Sequence, residues 1–352
     1  MSRKKIGILT FHNADNLGAV LQAYALQTTL EKKYNCPTEV IDYLCNEVEA
    51  TKKVKINSIK GICKAIPLKC YYFIKHRGFK RFRKEYLVCS EKSYTKNTIN
   101  NCIDDYDIFI TGSDQIWNLE CSGYDDTYFL DFVPENKKRY SYAASIGNYK
   151  YKSNEQKHIN DLLSRFNSIS VRENSAIQKL KEMGVSDIAV HSDPVILLDS
   201  GEWKSVMGKR IIKDNYVFVY LIQEDVNVIE SAQAYAKKYN LKVIINKKSP
   251  EFILHGSPQE FLSWIYFAES VFTNSFHATA FSLIFNKKLG ADVELRDGRT
   301  NNRILELLNS VEAENCILRK DNIDVKAGYN NELFLDMRRN AFEYLNSICM
   351  NN

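Results

Sequence analysis

The chain has 352 residues, with 48 Lys and Arg against 43 Asp and Glu and a formal net charge of +5 at pH 7. This length predicts more than one hydrophobic core, and so small a net charge does not by itself indicate nucleic-acid binding. Nine cysteines without a Cys-x-x-Cys pair indicate reduced thiols in a cytoplasmic protein, not a disulfide framework or a zinc site. No apolar run is long enough to cross a bilayer, and the short apolar stretch after the basic start predicts a strand instead of a signal peptide.

Strand and helix patterns alternate through the first half of the chain. Residues 5–10 read as a first strand, and Leu17, Leu21 and Tyr24 follow at helical spacing. Gly184 stops a later helix, as glycine does at helix C-termini. The predicted strands cover residues 5–10, 38–43, 107–111, 140–145, 168–171 and 188–190, and two further predicted helices cover residues 154–165 and 173–183.

The alternation restarts after a polar segment at residues 193–215, which predicts a domain junction. Ser257-Pro258-Gln259-Glu260 is a capping box with proline at the first helical position. The predicted strands here cover residues 216–222, 242–246, 270–273 and 289–293, and the helices cover 226–239, 257–268, 278–285 and 331–348. We therefore predict an α/β protein of two doubly wound, Rossmann-like domains with mostly parallel sheets, at 1–200 and 213–330, and a C-terminal helix at 331–352.

Segment 52–84, within a predicted helical insertion at about 48–90, breaks this rhythm. It carries 12 Lys and Arg residues and no Asp or Glu, with apolar residues interleaved. Such a stretch fits peripheral contact with an anionic membrane at its inner face, and equally a groove for an acidic acceptor. A helix whose charges simply face water is as good an interpretation. Nucleic-acid binding is weaker, because no nucleic-acid-binding fold accompanies the segment.

His277 follows the abrupt end of a β-branched strand and heads the next helix. In open α/β sheets, ligands bind beyond the carboxyl ends of the strands, and a helix N-terminus favours an anion there. Histidine is the side chain best suited to proton transfer near neutral pH. The sequence thus predicts a reactive position, and the structural alternative is a histidine that caps its own helix.

Polar clusters also follow other strands. Residues 11–18 include Asn13, Asn16 and Gly18, which offer amide groups to a phosphate or sugar. Taken alone, this loop favours helix capping by Asp15 or Asn16. Arg172 heads the helix after strand 168–171, where a guanidinium can bind phosphate or carboxylate through two hydrogen bonds. The alternative for Arg172 is a surface ion pair with Glu173 or a neighbouring helix.

Residues 111–118 form the densest of these clusters. Gly112 would let a ligand approach the backbone, and Trp117 would stack on a sugar face. Asp114, Gln115 and Asn118 would then bond sugar hydroxyls. The structural alternative is an Asx-type turn beside a core tryptophan. We favour the ligand site, because a turn needs less hydrogen-bonding capacity than this cluster offers.

Together these residues resemble the polysaccharide pyruvyl transferase family over roughly residues 5–310. Many relatives read Arg-Leu-His where this chain has Ser275-Phe276-His277. The contact that this arginine could make to an anionic group is therefore missing here or comes from Arg296, Arg299 or Arg303. The matching pieces are residues 11–21, the Gly-Ser-Asp-Gln-Ile-Trp-Asn run at 112–118, 142–147, 170–173, Asp193-Pro194 and 273–279.

The resemblance implies transfer of a pyruvyl group from phosphoenolpyruvate to a sugar of a cell-surface polysaccharide or its lipid-linked precursor, with formation of a ketal and release of phosphate. It also implies a fold similar to the two-domain glycosyltransferase B fold, with no metal or other cofactor and no nucleic acid as partner. His277 would be the general acid/base and Arg172 the anion clamp. The substrate-binding residues would be Asn13, Asn16, Gly18, Gly112, Ser113, Asp114, Gln115, Trp117, Asn118, Ser145, Asn274 and Ser275.

Two other functions stay open at this point. A nucleotide-sugar glycosyltransferase of the same fold would be stabilised by a nucleotide and not by phosphoenolpyruvate. A non-enzymatic membrane scaffold that uses segment 52–84 would bind anionic lipid without any turnover.

Overall fold

The computed structural model of the chain describes residues 4–50, 61–294, 301–319 and 324–350, with residues 61–70 described by their backbone alone. The described residues form two compact units. The first unit falls within 1–72, 80–197 and 337–352, and the second within 73–79 and 198–336. The C-terminal helix, predicted as a separate element, thus joins the first unit from residue 337 onward. Tyr344 there donates a hydrogen bond to the Ser141 carbonyl at 2.9 Å.

The first unit is built on parallel strands. Its four-stranded sheet has the order β2-β1-β3-β4, and a two-stranded sheet β5-β6 continues it through isolated bridges from Tyr140 to Ser168 and from Ala144 to Val171. All residues of β1, β3 and β5 are buried, as expected for parallel strands covered on both faces. The strands are β1 (Ile6–Leu9), β2 (Thr38–Val40), β3 (Ile108–Thr111), β4 (Lys138–Ser141), β5 (Ile169–Val171) and β6 (Ile188–Val190).

Helices connect these strands. Helix α1 begins where Asn16 accepts a hydrogen bond from the Gly18 amide at 3.0 Å, and it ends at Asn35 in the left-handed conformation. The helices of this part of the chain are α1 (Leu17–Tyr34), α2 (Asn46–Ala50), α3 (Gly61–Tyr86), α4 (Leu119–Ser122), α5 (Ser153–Leu163) and α6 (Asn174–Glu182).

The second unit is also built on a parallel sheet, with the strand order β10-β9-β7-β8. The predicted capping box is confirmed, since Ser257 and Glu260 each bond the other's backbone amide. The predicted α/β fold with two parallel, doubly wound sheets is therefore confirmed. Its elements, with the C-terminal helix, are α7 (Ser200–Val206), β7 (Tyr216–Tyr220), α8 (Val226–Tyr239), β8 (Lys242–Ile245), α9 (Pro250–Leu254), α10 (Pro258–Phe267), β9 (Ser270–Thr273), α11 (Phe276–Ile284), β10 (Lys288–Ala291), α12 (Asn302–Ser310) and α13 (Asn331–Met350).

The basic segment is described only from residue 61, so its part at 52–60 lies outside the described residues. From residue 61 it is helix α3, in which the buried Phe82 ring stacks on Tyr86 at 4.9 Å. Lys80, Arg81 and Lys84 are exposed. No helix within the described ranges is long and apolar enough to cross a membrane.

His191 couples the stability of the first unit to pH. Its ring lies 4.5 Å from that of Tyr344, and its Nδ1 is 2.8 Å from the Ser170 hydroxyl. Burial lowers the pKa of His191 from 6.5 to about 4. Because the folded pKa lies below the unfolded one, the neutral ring's contribution is complete above pH 6.5 and is lost as pH falls towards 4. We expect the free energy of unfolding to drop by about 3 kcal/mol over that window from this group alone.

Urea unfolding at pH 7 and pH 4.5, followed by tryptophan fluorescence, measures the His191 effect. His191→Phe retains an aromatic ring but has no proton to gain, so the variant should lose less stability on acidification than the parent chain. An equal loss in both proteins would assign the acid sensitivity to other groups.

Candidate functional site

The loop after β1 is held by contacts within the first unit. Asn16 caps α1, and the Asn13 amide donates to Glu49 Oε1 of α2 at 2.8 Å. Gly18 lies in the first turn of α1, where its amide points to Asn16. Asp15 forms an ion pair with Arg83 of α3 at 3.2 Å. The capping interpretation therefore accounts for Asn16, and the Asn13 amide is tied to α2.

The loop after β3 needs glycine at its first position. Gly112 has φ of 120°, and a Cβ there would lie 2.3 Å from the Tyr142 carbonyl oxygen. Ser113 is buried; its amide donates to Gln22 Oε1 at 3.0 Å, and its hydroxyl donates to the Ala143 carbonyl at 2.8 Å. The backbone of β3, the loop 142–145 and helix α1 thus meet at Ser113.

The next residues of this cluster bond mainly to one another. Asp114, with φ of 68°, accepts from the Gln115 amide at 2.8 Å, and its carbonyl accepts from the Ser145 amide at 2.9 Å. Gln115 Oε1 accepts from Asn118 at 3.2 Å, and Asn118 caps α4. Gln115 is half-buried, whereas Asp114 and Asn118 are buried.

Trp117 does not fit its predicted role as a sugar platform. The side chain is fully buried, its ring stacks on Phe129 at 5.6 Å, and its Nε1 donates to the Tyr128 carbonyl at 3.2 Å. Both the ring face and the indole N–H therefore serve the hydrophobic core. The alternative interpretation, a core tryptophan beside a polar turn, describes this residue.

Arg172 lies in a buried charge cluster that includes Glu173, its partner in the alternative interpretation, but the pair is not at the surface. Its Nη1 is 2.6 Å from Asp193 Oδ2, and its Nε is 3.7 Å from Glu173 Oε2. All three side chains are at most 2% exposed. Burial lowers the pKa of Arg172, but Asp193, Glu173 and Asp114 raise it by more, so the net shift is upward. The guanidinium stays charged between two carboxylates.

Glu173 connects this cluster to the loop after β4. Its Oε1 accepts three hydrogen bonds of 2.9 Å, from the Ser145 hydroxyl and from the Ile146 and Gly147 amides. The Ser145 hydroxyl is thus committed to Glu173. The sequence suggested Glu173 only as a partner in the alternative ion pair of Arg172. It suggested no role for Asp193 beyond its place in the Asp193-Pro194 piece of the family pattern.

In the second unit, the predicted strand-to-helix position of His277 is confirmed. His277 is the second residue of α11 and is half-buried. Ser275 caps that helix by accepting from the Ala278 amide at 3.4 Å. The Asn274 side chain accepts from the Ile222 amide and donates to the Gln223 carbonyl, both at 2.9 Å, so it joins the loops that follow β7 and β9.

Asp292 is a further titratable group at the same sheet edge. It directly follows β10, and its amide donates to the Thr273 carbonyl at the end of β9 at 2.8 Å. Burial, with a smaller contribution from the nearby Asp225 carboxylate, raises the pKa of Asp292 to about 6. Sequence analysis missed this residue because the predicted strand 289–293 ran past it. Its carboxyl holds a proton closer to neutral pH than an ordinary aspartate does.

Three arginines were predicted as possible sources of the anion contact, at positions 296, 299 and 303. Arg296 and Arg299 lie outside the described residues, and Arg303 lies in α12. In the part of the chain that the structure describes, no group of three or more His, Cys, Asp or Glu side chains is arranged to hold a metal ion.

Comparison with known proteins bears on both the family and the fold. The sequence model of the family described as polysaccharide pyruvyl transferase matches residues 16–289. No curated protein sequence matches the chain significantly. Among solved structures, a putative UDP-N-acetylglucosamine 2-epimerase from Listeria monocytogenes matches with a TM-score of 0.52 and 11% identity over 100% of this chain and 98% of that chain.

Two further structures align at lower scores. Anabaena HepE in complex with UDP-glucose gives a TM-score of 0.46 at 10% identity over 98% of this chain and 95% of that one. The Escherichia coli ADP-heptose heptosyltransferase II gives 0.39 at 8% identity over 85% and 88%. At such identities the likeness concerns the fold alone, and the Listeria structure carries that argument: a fold of two Rossmann-like units.

Proposed function

The chain belongs to the polysaccharide pyruvyl transferase family, and we propose that it transfers the pyruvyl group of phosphoenolpyruvate to a sugar of a cell-surface polysaccharide or its lipid-linked precursor. The family match over residues 16–289, which includes His277 at the head of α11, is the observation that carries this proposal. The family is one of transferases; the donor and the ketal product are our inference.

The proposed reaction joins two hydroxyls of the acceptor sugar to carbon 2 of phosphoenolpyruvate and releases phosphate. Carbon 3 of the enol gains a proton, and carbon 2 accepts the oxygen of a sugar hydroxyl. Loss of phosphate from carbon 2 then lets a second hydroxyl of the acceptor close the cyclic ketal. Of the two hydroxyl protons, one is matched by the proton gained at carbon 3 and the other leaves with phosphate. His277 is the proposed group that moves these protons, with Asp292 as a second proton carrier at the same sheet edge.

Arg172 has two candidate roles in this reaction. Its charge already faces Asp193 and Glu173, which supports a positioning role for the loop 145–147. Direct binding of the donor's phosphate or carboxylate remains the prediction from the family resemblance. The two roles differ in their effect on the KM for phosphoenolpyruvate.

Binding of small molecules separates this function from its main alternative. Phosphoenolpyruvate should raise the melting temperature of the protein, whereas UDP, UDP-glucose and UDP-N-acetylglucosamine should not. Binding of a ligand to the folded state alone raises the apparent stability by mass action. Stabilisation by a UDP-sugar and not by phosphoenolpyruvate would instead favour a nucleotide-sugar glycosyltransferase.

We propose that the reaction needs no metal ion. Arginine and backbone amides at helix N-termini would then stabilise the negative charge of phosphoenolpyruvate. Turnover should therefore be unchanged by EDTA after extensive dialysis. Loss of activity with EDTA that Mg²⁺ or Mn²⁺ restores would contradict this expectation.

Helix α3 is proposed to contact an anionic membrane surface or an anionic, lipid-linked acceptor. Reversal of Lys80, Arg81 and Lys84 to Glu should weaken binding to vesicles that contain phosphatidylserine, because each basic residue near such a surface contributes on the order of 1 kcal/mol. Arg83 is left in place since it pairs with Asp15. Vesicle cosedimentation at low and high salt measures the effect, and salt should weaken the binding of the parent chain.

A matched variant controls for net charge in this experiment. Reversal of the exposed Lys150, Lys157 and Lys181 to Glu changes the charge by the same amount elsewhere on the first unit and should leave vesicle binding nearly intact. No vesicle binding by the parent chain at low salt would remove the membrane interpretation. Loss of activity on a small acceptor in the α3 variant would place the helix at the acceptor groove.

A further inference from the structure

A cavity of about 470 Å³ opens in the first unit beyond the carboxyl end of β2. Its walls come from three separate segments: residues 43–47 after β2, residues 95–97, and Ser122, Gly123 and Asp125 at the end of α4 and beyond it. This volume lies within the range of small-molecule sites, about 300–1,000 Å³. Sequence analysis assigned no role to any of these residues.

The floor of the cavity consists of two buried, hydrogen-bonded side chains, Tyr43 and Asp125. The Tyr43 hydroxyl donates to Asp125 Oδ2 at 2.5 Å and lies 3.2 Å from the Thr127 hydroxyl. Asp125 Oδ1 accepts from the Thr127 amide at 3.2 Å. Tyr43 is 2% exposed and Asp125 8% exposed, so both are fixed in place. Burial raises the pKa of Tyr43, which keeps its hydroxyl neutral.

The rim of the cavity offers exposed groups that suit sugar hydroxyls. The side-chain amides of Asn46 and Asn97 can each donate and accept hydrogen bonds, and the Glu47 carboxylate can accept them. The charged side chains that line the cavity are Glu47, Asp125 and Lys96. The Lys96 ammonium lies 3.7 Å from Asp125 Oδ1. Two carboxylates against one ammonium repel a phosphate or nucleotide and admit an uncharged ligand.

The cavity adjoins elements that the proposed function already uses. Helix α2 carries Asn46 and Glu47, and its Glu49 accepts a hydrogen bond from Asn13 of the loop after β1 at 2.8 Å. Helix α4, which ends at Ser122 beside the cavity, directly follows the run 112–118. A ligand in the cavity would thus contact α2 and the end of α4, which adjoin the segments that bear predicted substrate residues of the first unit.

We propose that this cavity is a subsite for the acceptor and that it binds an uncharged saccharide through Asn46, Asn97 and the Tyr43–Asp125 floor. The assignment of the saccharide as acceptor rests on the proposed pyruvyl transfer. The binding of an uncharged saccharide does not, so the two are tested separately.

The test uses Asn46→Ala/Asn97→Ala, since both side chains are exposed and the buried floor is left intact. Binding of lactose, cellobiose and maltose is measured by saturation-transfer NMR without phosphoenolpyruvate. At least one disaccharide should bind to the parent chain and be lost or weakened about tenfold in the variant, which is the scale of one hydrogen bond to a neutral group. Asn148→Ala/Asn154→Ala, two exposed asparagines outside the cavity, should bind as the parent does.

Kinetics then tests the acceptor assignment. With an acceptor that is turned over, the cavity variant should raise the acceptor KM about tenfold and leave the KM for phosphoenolpyruvate unchanged. Saccharide binding that the variant loses, in a protein that shows no pyruvyl transfer, would support the cavity and refute the proposed function. If no disaccharide gives a signal that the variant loses, or if inorganic phosphate displaces the sugar, the cavity proposal is overturned.

Discussion

His277→Ala is expected to lower turnover about a hundredfold or more while the protein stays folded. This is the scale at which enzymes lose rate when a general acid/base is removed. The fold should survive because Ser275, not His277, caps α11, and Phe276 and Ala278 on either side bury the first turn of the helix. Steady-state kinetics of phosphate release measures the effect, and circular dichroism with thermal unfolding verifies the fold.

His255→Ala is the matched control for this prediction. His255 belongs to the same unit, and its half-exposed ring lies 3.3 Å from Glu260 of α10. This variant should retain turnover within about twofold. Near-normal kcat in a well-folded His277→Ala protein would remove His277 from the mechanism. Asp292→Asn distinguishes the two titratable groups: if Asp292 carries a proton in the reaction, the limb of the rate profile near pH 6 disappears in that variant.

Arg172→Met is expected to lower the free energy of unfolding by about 3 to 5 kcal/mol, the usual cost of removing one partner from a buried ion pair. The substitution leaves Glu173 and Asp193 buried without the cation between them. The double variant Arg172→Met/Asp193→Asn should recover part of this loss, since one buried carboxylate is then neutral. A loss below about 1 kcal/mol in urea unfolding would contradict the importance of this cluster.

Arg172→Lys separates the positioning role from donor binding. Lysine keeps the charge but cannot reach two carboxylates with a planar fork. If Arg172 binds the donor, the KM for phosphoenolpyruvate rises more than the acceptor KM. If Arg172 acts only through Glu173 on the loop 145–147, kcat falls and both KM values stay close to those of the parent chain. A rise in acceptor KM alone would place Arg172 on the acceptor side.

Most of the fold could be predicted because local signals and packing agree. Helix α8 has the predicted bounds Val226–Tyr239, since Asp225 caps its start and Asn240 ends it in the left-handed conformation. Strand β9 likewise has its predicted bounds. Strand β4 does not: the prediction ran over 140–145, but the strand ends at Ser141 because Ala143 adopts φ of 48°. Alanine gives no sequence signal for such a backbone, so tertiary contacts decide it.

The candidate site was less predictable than the fold. A sequence places polar residues after a strand but does not say which way a ring turns, so Trp117 was predicted to face a ligand and instead lies in the core. The sequence also did not reveal side-chain partners that lie far apart along the chain. Asp193, which neutralises Arg172, is 21 residues away, and Asp292 was hidden inside an overlong predicted strand.

Pyruvyl transfer itself is tested most directly by one measurement. The protein is incubated with phosphoenolpyruvate and a panel of bacterial cell-surface glycans, and both released phosphate and the mass of each glycan are followed. We expect one phosphate released for each glycan that gains a pyruvyl ketal, and both products reduced about a hundredfold or more with His277→Ala. Glycans that stay unmodified with phosphoenolpyruvate but gain a hexose from a UDP-sugar would contradict this expectation.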